Sequence, residues 1–205
     1  MTFLEIMQRV AKNAGIDIPA TTASTDPDRI KIALFINETG KELARRVDWR
    51  SLRKTVTLTG DGTSNSHTIA ADFARLPEGM AVRCDGTPVR GSLTTEEWFS
   101  LEPVEGSPRY FFLDSRNIGF YPYLPSGKQV TVQYQSARWV TEPGTQGFEE
   151  MTNDAQDTPL NGDLIAFGAY VRWRRHIGKD FADHQAEFEA MLADIAKAEG
   201  GVRAP

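Results

Sequence analysis

The sequence predicts an α+β protein: a helical bundle formed by the N- and C-terminal helices, with a small antiparallel β-sandwich or barrel inserted between them. Three observations carry this prediction. Apolar residues recur at helical spacing up to about residue 53. The period changes to two between Thr55 and about Val140, and helical spacing returns beyond residue 160. The boundaries expected are 1–53 for the N-terminal helices, 54–140 for the inserted β-domain, 141–200 for a connecting loop and the C-terminal helices, and 201–205 for a tail, "GVRAP", without periodicity.

The first helix has a start and a stop. Thr2 and Glu5 make a capping-box pattern, Phe3, Met7, Val10 and Ala14 share one face, and Gly15 is the terminator. After the polar loop "IDIPATTASTD", Asp26 caps a second helix with Pro27 in its first turn. Ile32, Ile36, Leu43 and Val47 form its buried stripe. Gly40 lies on that stripe, where it costs about 1 kcal/mol relative to Ala. Close packing of another backbone, or a kink, would explain it. Trp49 and Leu52 then stand at the junction with the β-domain, where a large aromatic can pack against both parts and fix the angle between them.

The β-region reads as six or seven short strands. Asp85-Gly86 is a two-residue hairpin signal, and "RYFFLD" and "NIGFYPY" make a second hairpin across Ser115-Arg116. "TTEEWFSL" is a short helix capped by Thr94 or Thr95. "KQVTVQYQSARWV" is the longest strand, with Val130, Val132 and Tyr134 on one face. Leu164, Phe167, Gly168 and Val171 mark a helix ending near Gly178. Phe181, Phe188, Met191, Leu192 and Ile195 mark the last one, with Gly200 at its end.

Composition excludes more than it suggests. The chain has 205 residues, 40% of them hydrophobic and 25% charged, with a net charge of −5, which argues against a surface built mainly to grip phosphate. The single cysteine, Cys84, allows no internal disulfide and reads as a small apolar residue near a strand end. The N-terminal stretch has neither signal-peptide nor membrane-span character, so no membrane partner is expected. No phosphate-binding loop, dinucleotide fingerprint, zinc-protease motif, C-x-x-C or nucleophile elbow occurs. His67, His176 and His184 lack ligand spacing, and "NDAQD" fails as a calcium loop, with Ala155 at its third position and Thr158 at its sixth. No catalytic residue, cofactor or metal site is therefore expected. The carboxylates Glu149, Glu150, Asp154 and Asp157 are the one group that could supply a glycosidase pair.

Two basic clusters surround tryptophans. Arg45, Arg46, Arg50, Arg53 and Lys54 flank Trp49, and Arg172, Arg174, Arg175, His176 and Lys179 flank Trp173. They complement helix C-terminal dipoles, or they anchor a protein partner. On the second reading, Arg45, Arg46, Arg172, Trp173 and Arg175 are candidate interface residues.

Several stretches taken in order resemble a known family. They are "DPDRIKIALFINETGKELARRVDWRSL", "ADFARLP", "IGFYPYLPSGKQVTVQYQS", "MTNDAQDTPL" and "LIAFGAYVRWRRHIGKDFADHQAEFEAML". Together they look like the head-to-tail adaptor proteins of tailed bacteriophages, which include the tail tubular A proteins of short-tailed phages and related connectors. The resemblance implies a structural virion protein and a homo-oligomeric ring, commonly a dodecamer, docked beneath the portal protein. Such a ring offers a platform to the tail or nozzle protein. It extends a channel through which double-stranded DNA passes without sequence-specific binding. It also implies residence at the head–tail interface of the virion, with the host cytoplasm as the place of assembly. By the same analogy the tail residues Val202, Arg203, Ala204 and Pro205 become ordered on the portal. The alternatives are a virion enzyme cleaving glycan with Glu149 and Asp154, and a glycan- or receptor-binding β-module presenting Trp98 and Tyr110.

Overall fold

A computed structural model of the chain describes residues 1–79, 81–102 and 104–199. In chain order its elements are α1 (Phe3–Ala14), α2 (Pro27–Arg46), a 3-10 turn (Arg50–Leu52), β1 (Arg53–Thr59), β2 (Ser66–Thr68), β3 (Phe73–Arg75), β4 (Val82–Cys84), β5 (Thr87–Pro88), α3 (Thr95–Phe99), β6 (Tyr110–Asp114), β7 (Asn117–Tyr121), β8 (Gln129–Ser136), α4 (Gly162–His176) and α5 (Ala182–Ala198). The fold is α+β, with helices at both ends and antiparallel sheets between them. It divides into two compact units, one of residues 1–52 with 137 onward, the other of Arg53–Ser136.

Each helix of the helical unit begins where a side chain satisfies free backbone N–H groups, α5 through the Asp180 carboxylate, which accepts from the Ala182 N–H at 3.1 Å. The Thr2 hydroxyl accepts from the Glu5 N–H while the Glu5 carboxylate accepts from the Thr2 N–H. Asp26 accepts from the N–H groups of Asp28 and Arg29, and Asn161 from that of Leu164. The α1 stripe runs through Phe3, Ile6, Met7, Val10 and Ala11, with Ala14 only partly covered. It shares a core with Ile32, Ile36 and Leu43 of α2, Leu164, Ile165 and Val171 of α4, and Phe188 and Leu192 of α5. Trp49 and Leu52 lie in this core, and the Trp49 indole N–H donates to the Leu43 carbonyl at 2.7 Å.

Gly40 is explained by a side chain rather than by a backbone or a kink. A Cβ placed there would sit 2.3 Å from Cη2 of Trp139. Trp139 is fully buried against α2, and its indole N–H donates to the Glu149 carbonyl at 2.7 Å. This corrects the expected extent of the longest strand. β8 stops at Ser136, and Trp139 and Val140 belong to the helical core, because the slot over Gly40 takes the indole out of the strand alternation. Gly168 of α4 plays a similar role, since its Cβ would meet Thr39 of α2 at 2.6 Å and Phe188 of α5 at 2.7 Å.

Among the described residues the β-unit has eight strands rather than six or seven, in two sheets around one core. β8 is central to the first sheet, in the order β1-β8-β4-β5, with β3 also pairing to β8. The second sheet has the order β2-β7-β6. Leu58, Val82, Val130, Val132 and Tyr134 from the first sheet pack with Phe111, Ile118 and Phe120 from the second. Both hairpin signals form: Asp85 and Gly86 take φ of 47° and 82° between β4 and β5, and Ser115 takes 54° between β6 and β7. Thr94, not Thr95, caps α3. Cys84 is buried, and burial together with the neighbouring Asp85 raises its thiol pKa.

One carboxylate is enclosed in this unit. Asp72 is 6% exposed and accepts from Lys54 Nζ at 2.6 Å, Ser136 Oγ at 2.7 Å and the Tyr134 hydroxyl at 2.9 Å. Burial alone would raise its pKa. The Lys54, Ser136 and Tyr134 hydrogen bonds outweigh that and bring it to about 2. An unfolded Asp titrates near ~3.9, so the stabilisation is complete above about pH 4 and is lost as pH falls through 2.

These contacts can be tested by substitution. Gly40→Ala should lower stability by about 1–3 kcal/mol in urea melts despite the better helix propensity of Ala. Much of that loss should disappear in a Trp139→Leu background, and a loss that is simply additive would refute the steric account. Asp72→Asn should cost about 2 kcal/mol at pH 7, with the difference from the unaltered protein closing as pH approaches 2. A gap independent of pH in acid-side denaturation curves would overturn the assignment.

Candidate functional site

The expected basic clusters separate in the structure according to what each arginine meets. Arg46 forms a two-pronged pair with Glu189 of α5, at 2.9 and 2.6 Å, and also reaches Glu42 at 2.9 Å. Arg172 of α4 reaches Glu38 at 3.1 Å and Glu42 at 2.5 Å. Glu42 therefore joins the two arginines into one seam, Glu38–Arg172–Glu42–Arg46–Glu189, that ties α2, α4 and α5 together. Hydrogen bonding to Glu189, opposed by burial and aided by Glu42, raises the pKa of the Arg46 guanidinium. Trp173 is 4% exposed and sits in the helical core, so its ring is not a surface anchor in this conformation. Arg45 and Arg175 are exposed, and Arg175 lies over the Phe181 ring at 5.7 Å. The structure thus brings Arg46 and Arg172 together and leaves Arg45 and Arg175 on the surface. Val202, Arg203, Ala204 and Pro205 lie outside the described residues, as does the helix stop expected at Gly200.

The acidic connection between residues 141 and 161 is held rather than loose. The Asn37 side chain accepts from the Met151 N–H at 2.7 Å and donates to the Met151 carbonyl at 3.0 Å. The Gln156 side-chain oxygen accepts from the Thr152 N–H at 2.6 Å, and the Thr158 hydroxyl donates to the Trp139 carbonyl at 2.9 Å. Asp154 accepts from both the N–H and the hydroxyl of Thr22, which lowers its pKa. Burial would raise that of Asp157, but bonds from the Met1 ammonium and the Thr158 N–H lower it. Glu150 pairs with Lys41. A glycosidase general acid must hold its proton near neutral pH, and the surroundings of Asp154 push the other way.

In the β-unit, Trp98 is half-buried and stacks on Phe112 with ring centroids 5.5 Å apart, while Tyr110 is half-buried opposite Tyr121 in the β6–β7 pair. Among the described residues no group of three or more His, Cys, Asp or Glu is placed to hold a metal ion. No helix of the described residues is long and apolar enough to cross a membrane. Asn37 and Glu42 carry no motif in the sequence, and the role of Trp139 is hidden there as well. For Asn37 and Glu42 the available signal is a polar side chain at each edge of the α2 apolar stripe.

The seam makes a prediction. Arg172→Met removes two ion pairs at partly exposed positions and should lower stability by about 1 kcal/mol at low salt, with a smaller loss at high salt. Equal losses at both ionic strengths in thermal melts would show that packing, not charge, is what Arg172 supplies.

No curated protein matches the chain. The family model described as SU10 adaptor protein matches residues 1–205, the whole chain. The chain therefore belongs to the SU10 adaptor family of phage head–tail adaptors and is a structural protein of the virion.

Proposed function

We propose that the protein assembles as a ring, dodecameric as in the adaptors it resembles, between the portal and the tail or nozzle of the virion. On this reading the ring extends the channel for double-stranded DNA and binds no sequence in it. Assembly takes place in the host cytoplasm. The observation that carries the proposal is the match to an adaptor family over the full length of the chain. The charge layout supports it. Ring contacts are head-to-tail and need two different faces on each copy. Arg46 and Arg172 are partly covered and bridge between helices, whereas Arg45 and Arg175 are exposed, and that exposure makes Arg45 and Arg175 the candidates for contacts with a neighbour or the portal. A net charge of −5 suits a wall past which DNA must slide without being held. Trp49 and Leu52, fixed in the helical core, hold the point from which the chain departs into the β-unit. Nothing in this role requires catalysis.

The test is reconstitution with the portal ring encoded by the same genome, read by light scattering on a sizing column and by negative-stain images of the same peak. The expected outcome is a fixed stoichiometry and a lengthened channel. Failure to join an intact portal ring in any mixing ratio would overturn the proposal. Removal of residues 201–205, and separately Arg45→Glu with Arg175→Glu, should weaken portal binding by about tenfold or more with little change in melting temperature. Unchanged binding would remove those residues from the interface.

A further inference from the structure

The β-unit carries a groove lined by aromatic and polar side chains. It encloses about 740 Å³, within the roughly 300–1,000 Å³ usual for small-ligand sites. Trp98, Tyr121 and Tyr123 line it, together with Asn65, Glu105 and Ser126. Its base is braced. Trp98 lies flat on Phe112, and a Cβ at Gly119 would stand 3.2 Å from the Trp98 ring and 2.8 Å from the Asn65 carbonyl, so only glycine lets the ring settle there. Tyr123 is 51% exposed and Val104, also on the groove, is 54% exposed.

The chemistry of the lining narrows the ligand. Among the described residues no Lys or Arg lines the groove and Glu105 does, so a phosphate, sulfate or uronate would meet no countercharge there and one like charge. The hydrogen-bonding side chains are uncommitted: among the described residues, Asn65, Tyr121, Tyr123 and Ser126 make no side-chain hydrogen bond within the chain. A ligand that combines flat apolar faces with a rim of hydroxyls satisfies both features, and a pyranose ring is such a ligand. Tyr and Trp offer rigid, amphipathic surface for it with few torsions to immobilise. We propose that this groove is a binding site for a neutral glycan, stacked on Tyr123 and Trp98, with its hydroxyls read by Asn65, Ser126 and Glu105. The inference stands apart from ring assembly and survives or fails without it.

The protein supplies its own probe. Of its four tryptophans, Trp49, Trp139 and Trp173 are buried and only Trp98 borders solvent. Acrylamide quenching of tryptophan fluorescence should therefore report on the groove. The full chain would be titrated with maltohexaose, cellohexaose and chitohexaose, with heparin as the anionic control and an oligoproline peptide as the protein-like control. The expected result is saturable protection of Trp98 by at least one neutral hexamer at millimolar concentration or below, and none by heparin. Tyr123→Ala should weaken it by about tenfold, the size expected for loss of a stacked ring, and Asn65→Ala should weaken it by about fivefold. Both variants should keep the circular dichroism spectrum and melting temperature of the unaltered protein. Three results would overturn the proposal: no protection by any hexamer, protection undiminished in both variants, or protection by the oligoproline alone. Protection that rises with protein concentration in the absence of sugar would assign the groove to a second copy of the chain instead, and would equally overturn it.

Discussion

The helical unit depends on the meeting of Gly40 and Trp139. A large ring can lie this close to a helix axis only where no Cβ stands in the way, and the helix accepts the glycine because the indole refills the space. The connection from residue 141 onward is tied to the same place. The Trp139 indole holds the Glu149 carbonyl, the Trp139 carbonyl holds Thr158, and Asn37, three residues before Gly40, clamps Met151. A polar segment that composition alone would leave as a flexible loop is fixed against α2 by one aromatic residue and a few well-aimed hydrogen bonds.

Charge is organised on the same principle. Arg46 and Arg172 find carboxylates on other helices, and one carboxylate, Glu42, serves both of them. Pairs at this degree of exposure contribute modestly to stability, but Glu42 and Glu189 together link α2, α4 and α5 through Arg46 and Arg172. Two arginines have their heads over aromatic rings, Arg174 over Tyr170 and Arg175 over Phe181. Arg46 and Arg172 thus hold helices together, while the exposed Arg175 packs on a neighbouring ring.

Local chemistry is legible in the sequence and tertiary chemistry is not. Thr2, Asp26, Asp85-Gly86 and Ser115-Arg116 each act through neighbours two to four residues away, and each does what its pattern predicts. The α+β class comes from the change of period. Trp139 is misplaced by its sequence because "QYQSARWV" continues the alternation of a strand, and only the distant Gly40 reveals that the ring leaves it. Arg46 is within sequence reach of Glu42 at four residues, yet its stronger partner, Glu189, is not. Trp173 resembles an anchor because arginines flank it, although helical geometry turns those neighbours to other faces and the indole inward. The Asp72 cage is invisible for the same reason, since Lys54, Tyr134 and Ser136 reach it from the first and last strands of the unit.

The last helix is built differently from the others. At the start of α5 the N-cap residue, Phe181, has no side chain that can cap, and only the Ala182 N–H is met, by the Asp180 carboxylate; the helix commits only Phe188, Leu192 and Ala196 to full burial, while α1 commits five residues within a shorter length. Arg46 reaches across from α2 to grip Glu189 near its middle. Helices with fewer buried side chains open at free energies below that of global unfolding. α5 is therefore the cooperative unit expected to exchange its amide hydrogens first, with the Arg46–Glu189 pair acting as its latch. A helix held in this way can loosen or reseat while α1, α2 and α4 stay folded.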